Sequence, residues 1–321
     1  MELSVSNLLE KINEDRPKSS ERTRKTYKIY LTKLQQICNA DTDKEDCEFL
    51  KNPKVVMNEL KLAKWGKTHT PTTLSYISQR NYLNTIIVTL YAINDDEKYN
   101  DIILEYTKQR DLFNKQYEDE QTTGYISDKQ APNFAKKEEV EEMMKTMNKE
   151  LTELKKTKVE DWRKKDHALL QVYTLFSIHS RIPLRNDLAF AETINKRAYN
   201  KLSDEDKEKK NYLVWVNGDK KMFFVLNDYK TSKKYRELII NIEDKELLAI
   251  LRYYVGINGM GVLFKSRTGN PITRQKITQI LTAASQKHMN KKISTTMLRK
   301  IYDSSKYAHI LDEMKKDASI M

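Results

Sequence analysis

Apolar residues recur along the first third of the chain at helical spacing. Tyr27, Tyr30, Leu31 and Leu34 fall on one helical face, with Lys25, Lys28 and Lys33 on the rest of the surface. Ser19-Ser20 offers an N-cap for that helix, and the residues up to Pro17 read as a short leading helix or tail. A second stripe is formed by Leu83, Ile86, Ile87, Leu90 and Tyr91. Thr70-Pro71 gives it a cap followed by proline at the first helical position, and Asn94-Asp95-Asp96 ends it. A third helix is predicted from Asp101 to about Tyr117. From Glu118 to Phe134 the periodicity dissolves into Gly124, Ser127, Pro132 and Asn133. These patterns predict a helical domain over 1–120, a linker over 121–135 and a second domain over 136–321.

The second domain opens with a Lys/Glu-rich helix from Lys136 to Lys155 and a buried helix from His167 to Ile178. The period then changes. Tyr212–Val216, Met222–Leu226 and Leu238–Ile242 read as strands, with Asn217-Gly218 as a two-residue hairpin turn. Asp228–Lys233 is a polar tip between the last two. Helices resume at Lys245, over Ile272–His288 and from Thr295 onward. The predicted fold is mostly α with a small antiparallel β-sheet.

Composition narrows the classes. No stretch approaches the ~20 apolar residues of a membrane span, and no basic region followed by an apolar run opens the chain. Cys38 and Cys47 are the only cysteines, so no disulfide framework or zinc site is expected and the compartment is intracellular. With seven glycines, a phosphate-cradling Gly-rich loop has little support. No cofactor and no metal are expected. The net charge of +12 points to a polyanion partner, although a lysine-rich solvated surface would give the same count.

Three cations stand at special places. Arg185 follows the buried helix in Ile182-Pro183-Leu184-Arg185-Asn186-Asp187. Lys230 sits at the polar tip. Arg299 lies in Thr296-Met297-Leu298-Arg299-Lys300, early in the last helix. Singly, each is more often a solvated or snorkelling side chain. In this order and context the second domain resembles the catalytic domain of tyrosine recombinases, the integrase family. That family carries one arginine after a buried helix, a lysine on a β-hairpin and a second arginine in His-x-x-Arg on a later helix. Leu-Arg-Asn-Asp, Asp-Tyr-Lys-Thr and Leu-Arg-Lys are similar to phrases in integrases of virophages and large DNA viruses. Residues 20–117 resemble the family's helical (SAM-like) core-binding domain.

The resemblance implies the DNA breaking-rejoining fold, duplex DNA as partner and a tetrameric assembly on it. It implies transesterification through a 3′-phosphotyrosine, with Arg185 and Arg299 clamping the phosphate and Lys230 as general acid. Asp187 is a candidate to orient Arg185, and Lys233, Lys234, Arg236 and Arg80 are candidate DNA contacts. The site of action is the cytoplasm or nucleus of a host cell, or a virion. Two departures qualify this. Thr296 replaces the motif's histidine, keeping a hydrogen-bonding hydroxyl but no acid or base near neutral pH. Tyr302 and Tyr307, the only tyrosines after Arg299, share its helix and are expected to be packing or surface residues. The nucleophile is expected beyond Met321, in a chain truncated ahead of it. The alternatives are a catalytically inactive DNA-binding protein and a type IB topoisomerase, against which the helical first domain argues.

Overall fold

The computed structural model describes residues 3–39, 46–65, 72–122, 131–216 and 221–318. The chain divides into two compact units, Met1–Ile126 and Ser127–Met321. The first holds α1 (Val5–Asp15), α2 (Glu21–Cys38), α3 (Pro53–Leu62), β1 (Lys64–Trp65), β2 (Thr72–Thr73), α4 (Tyr76–Ala92) and α5 (Asn100–Thr122). Ser20 caps α2, its hydroxyl accepting from the Thr23 amide at 3.2 Å. Helix α4 begins later than Thr70-Pro71 suggest. Its cap is Ser75, whose Oγ accepts from the Ser78 amide, while Thr70 and Pro71 lie outside the described residues. The predicted stripe of α4 is buried at Leu83, Ile86, Ile87 and Leu90 against Leu8, Leu31, Leu34 and Tyr106.

The second unit holds α6 (Lys137–Leu154), α7 (Lys164–His179), β3 (Glu192–Asn195), α8 (Lys196–Asn200), α9 (Asp204–Glu208), β4 (Tyr212–Trp215), β5 (Met222–Leu226), α10 (Ser232–Tyr235), β6 (Leu238–Asn241), α11 (Lys245–Asn258), β7 (Gly261–Val262), α12 (Arg274–Met289) and α13 (Thr295–Ala318). Five strands form one sheet in the order β6-β5-β4-β3-β7. The three predicted strands β4, β5 and β6 are antiparallel neighbours, as expected. The sheet as a whole is mixed, because β3 joins β4 in parallel and β7 joins β3 antiparallel. The Asn217-Gly218 turn lies outside the described residues.

A large apolar core joins most of these elements, and a smaller one of Tyr199, Tyr212, Val214 and Val225 lies where α8 meets the sheet. Leu175, Phe176 and Ile178 of α7, Phe224 of β5, Leu251 of α11, Leu281 of α12 and Leu298 of α13 are all buried in the large core. Helix α13 packs against α6, α7 and α12. Among the described residues no helix is long and apolar enough to cross a membrane.

Candidate functional site

Two arginines follow α7, and their surroundings separate them. Arg181 is tied down. It pairs with Asp244 at 3.3 Å and Glu246 at 2.7 Å, and donates to the Ser177 carbonyl. Arg185 is exposed, at the start of a single 3-10 turn over Asn186–Leu188. That turn packs on α12, where Asn186 Nδ2 donates to Thr278 Oγ1 at 2.9 Å.

Asp187 does not form the expected salt bridge with the Arg185 guanidinium. Its Oδ2 accepts instead from the Arg185 backbone amide, at 3.3 Å, so it shapes the turn rather than the side chain. Burial pushes the Asp187 carboxyl above the usual range, opposed by that amide and by the positive charges of Arg274 and Arg185.

Lys230 lies in the connection between β5 and β6. This is more than a polar tip, because Ser232–Tyr235 forms one helical turn within it. Lys230 is exposed, and Tyr229 beside it packs on the core while donating its hydroxyl to the Arg236 carbonyl at 2.9 Å. Lys233, Lys234 and Arg236 are exposed on the same segment. Arg236 has φ 56° and ψ −142°, a backbone region that glycine adopts far more readily.

The Arg185 and Lys230 segments are joined by Asn211. This residue stands just ahead of β4 and is buried, at 2% exposure. Its Nδ2 donates to the carbonyls of Asp187 at 2.5 Å and Asp228 at 2.9 Å. Its Oδ1 accepts from the amides of Asn227 at 2.7 Å and Asp228 at 2.8 Å. Arg274, the first residue of α12, adds a third attachment. Its Nη2 bonds Asp228 Oδ2 at 3.0 Å and the Asp228 carbonyl at 3.3 Å.

Neither residue stood out in the sequence. A polar residue before a strand reads as a turn, which hid Asn211. A faint signal did exist for Arg274, since a cation in the first turn opposes the helix dipole and calls for a nearby anion.

Arg299 is half-buried in the second turn of α13, between the buried Leu298 and Ile301. Thr296 is exposed one turn earlier. No ion pair engages the side chains of Arg185, Lys230 or Arg299 among the described residues. Tyr302 faces elsewhere. With Leu298, Ile301 and Ser305 it lines a cleft of about 710 Å³ against α6 and α7, which none of the three cations lines. Tyr307 is 48% exposed, near Lys306. Arg80, in the first unit, stacks its guanidinium 4.7 Å from the centre of the Tyr117 ring.

His179 closes α7 and is 1% exposed. Burial lowers its pKa to about 4, opposed only by the backbone of Leu184. It is a neutral core residue. Both cysteines are free, and burial pushes each thiol up to about 12. No group of three or more His, Cys, Asp or Glu that could hold a metal occurs among the described residues.

No family profile matches the chain, and no curated protein matches it in sequence. Solved structures do. A crystal structure of XerA recombinase is similar at 12% identity and a TM-score of 0.34, over 94% of this chain and 82% of that one. The XerH site-specific recombinase, crystallised on its difH substrate before cleavage, is similar at 13% identity and a TM-score of 0.50, over 95% of this chain and 74% of that one. The chain therefore has the fold of a tyrosine recombinase: mostly helical, with a small mixed five-stranded sheet in its second unit.

Proposed function

We propose that the protein is a site-specific DNA recombinase of the tyrosine type, acting in DNA integration. The observation that carries this reading is the pairing of two exposed cations on segments bound to one buried asparagine. Arg185 and Lys230 share that anchor and have no carboxylate partner among the described residues. The likeness in fold to XerH, a protein crystallised with its DNA substrate, supports the same reading.

In this reading a tyrosine hydroxyl attacks a DNA phosphodiester. The new O–P bond makes a 3′-phosphotyrosine, and the P–O bond to the 5′-carbon side breaks. Charge gathers on the non-bridging oxygens in the transition state. Arg185 and Arg299 clamp those oxygens, as planar and always-charged forks do. One well-placed donor of this kind is typically worth about 3–4 kcal/mol. Lys230 protonates the departing 5′-oxygen, a step open to an ammonium but not to a guanidinium. Thr296 donates a hydrogen bond from its hydroxyl to a phosphate oxygen. Lys233, Lys234 and Arg236 contact neighbouring phosphates without reading sequence, and Arg80 does so from the first unit. Exchange between two duplexes breaks four strands, which four copies of the chain on DNA would supply. The DNA substrate puts the reaction inside a cell or a virion.

Neither Tyr302 nor Tyr307 is assigned as the nucleophile, because both ride on the helix that carries Arg299. The test is a suicide duplex, nicked so that the leaving fragment diffuses away. It is offered to this chain and to a chain extended past Met321. A covalent tyrosine adduct is expected from at least one of them. Arg185→Ala or Arg299→Ala should lower its rate by about 10²–10³. Adduct from neither chain contradicts the reading and leaves a DNA-binding protein without strand transfer.

A further inference from the structure

We infer that Asn211 and Arg274 form a clasp that positions Lys230 against Arg185, so that both cations meet one phosphate. The inference rests on the phosphate-clamping reading above. Asn211 spends its whole hydrogen-bonding capacity on backbone. An amide side chain offers two donors and a two-lone-pair acceptor. Here all four go to residues 187, 227 and 228, and none to another side chain.

The arrangement is specific to this task. Asp187 is two residues past Arg185, and Asp228 is two residues before Lys230. One side chain thus fixes the start of the Lys230 segment to the turn that carries Arg185. Because the asparagine is buried, these bonds do not exchange with water, and the spacing they set is stiff. Arg274 holds Asp228 from the opposite element, α12, which also holds the Arg185 turn through Asn186 and Thr278. The Asp228 carbonyl receives both Asn211 and Arg274. Two independent routes, one through β4 and one through α12, therefore tie the same two segments. Neither residue needs to touch the phosphate, so both are positioning residues.

A double-mutant cycle on DNA affinity reads the positioning directly. The probe is a short duplex of mixed sequence at low salt, bound by the full chain. Arg185→Ala and Lys230→Ala are made singly and together in three backgrounds: unchanged, Asn211→Ala and Arg274→Ala. In the unchanged background the two losses should be non-additive by roughly threefold or more, the mark of a shared phosphate. In Asn211→Ala they should become additive to within about twofold, as for independent sites. Lost packing alone would shift the melting temperature without removing that coupling. Arg274→Ala lies at the exposed end of the clasp and should weaken the coupling too. It keeps the test decisive if Asn211→Ala does not fold. Coupling that persists in Asn211→Ala, or in Arg274→Ala if the former is unfolded, overturns the clasp, as does additivity in the unchanged protein. If neither Arg185→Ala nor Lys230→Ala alters affinity, the phosphate site itself fails.

Discussion

Arg181 and Arg185 look interchangeable in the sequence, four positions apart after the same helix, yet their roles divide. Arg181 is a structural cation with two carboxylates. Such partly exposed pairs are each worth about 0–1 kcal/mol. Arg181→Ala should therefore lower the melting temperature by roughly 2–4 °C, as about 1 kcal/mol does in a domain of this size, and leave DNA affinity nearly unchanged. Arg185→Ala should do the reverse, with a melting temperature close to the parent and weaker DNA binding. Melting curves and binding isotherms on the two variants check the division. Equal effects on both quantities would contradict it.

His179 makes stability depend on pH. Its pKa is lowered from 6.5 to about 4 by burial, so the folded state holds it neutral while the unfolded chain protonates. Its neutral burial costs nothing above pH 6.5. Stability is lost as the pH falls from 6.5 towards 4, by up to about 3 kcal/mol. His179→Leu should flatten the pH dependence of unfolding in that window. An unchanged slope would mean that other groups set it. Nothing in a lone histidine along the chain reveals full burial.

The strands legible in the sequence are those with their own apolar run. Tyr212–Trp215 and Met222–Leu226 carry almost unbroken apolar side chains and are largely buried. Strand β3, Glu192–Asn195, has one aliphatic residue in four, and β7 has two residues in all. Their pairing is supplied by neighbours distant in the chain, so no local pattern announced them. The parallel β3–β4 pair followed from this and was equally hidden.

Helix α4 shows the same limit. Its apolar stripe was legible, but its start was not, because the cap is Ser75, a serine that no flanking proline marks out. The Arg185, Lys230 and Arg299 series was visible because each sits beside a recognisable element boundary. The Asn211 clasp was not visible, since its four bonds exist only once the loops meet. The connection between β5 and β6 also stores strain at Arg236. Backbone in such a region costs about 1–3 kcal/mol for a side-chain-bearing residue. Arg236→Gly should therefore raise stability by roughly 1 kcal/mol in thermal unfolding. A loss of stability would contradict this local geometry.

The net charge of +12 acquires a direction once exposed cations gather on the Lys230 segment. Binding that neutralises phosphates releases counterions, so affinity should fall steeply with salt. A protein with 6–10 phosphate contacts loses about 10³–10⁵ in affinity between 50 and 200 mM. Affinity that is indifferent to salt would contradict DNA binding through these surfaces.

On the recombinase reading, Arg185, Lys230 and Arg299 serve one phosphate. A structure of the full chain bound to duplex DNA would give the distances from the three side chains to the nearest phosphate oxygens. All three should fall within hydrogen-bond reach, about 3 Å, of a single phosphate. Side chains resting on different phosphates, or turned away from the DNA, would contradict it.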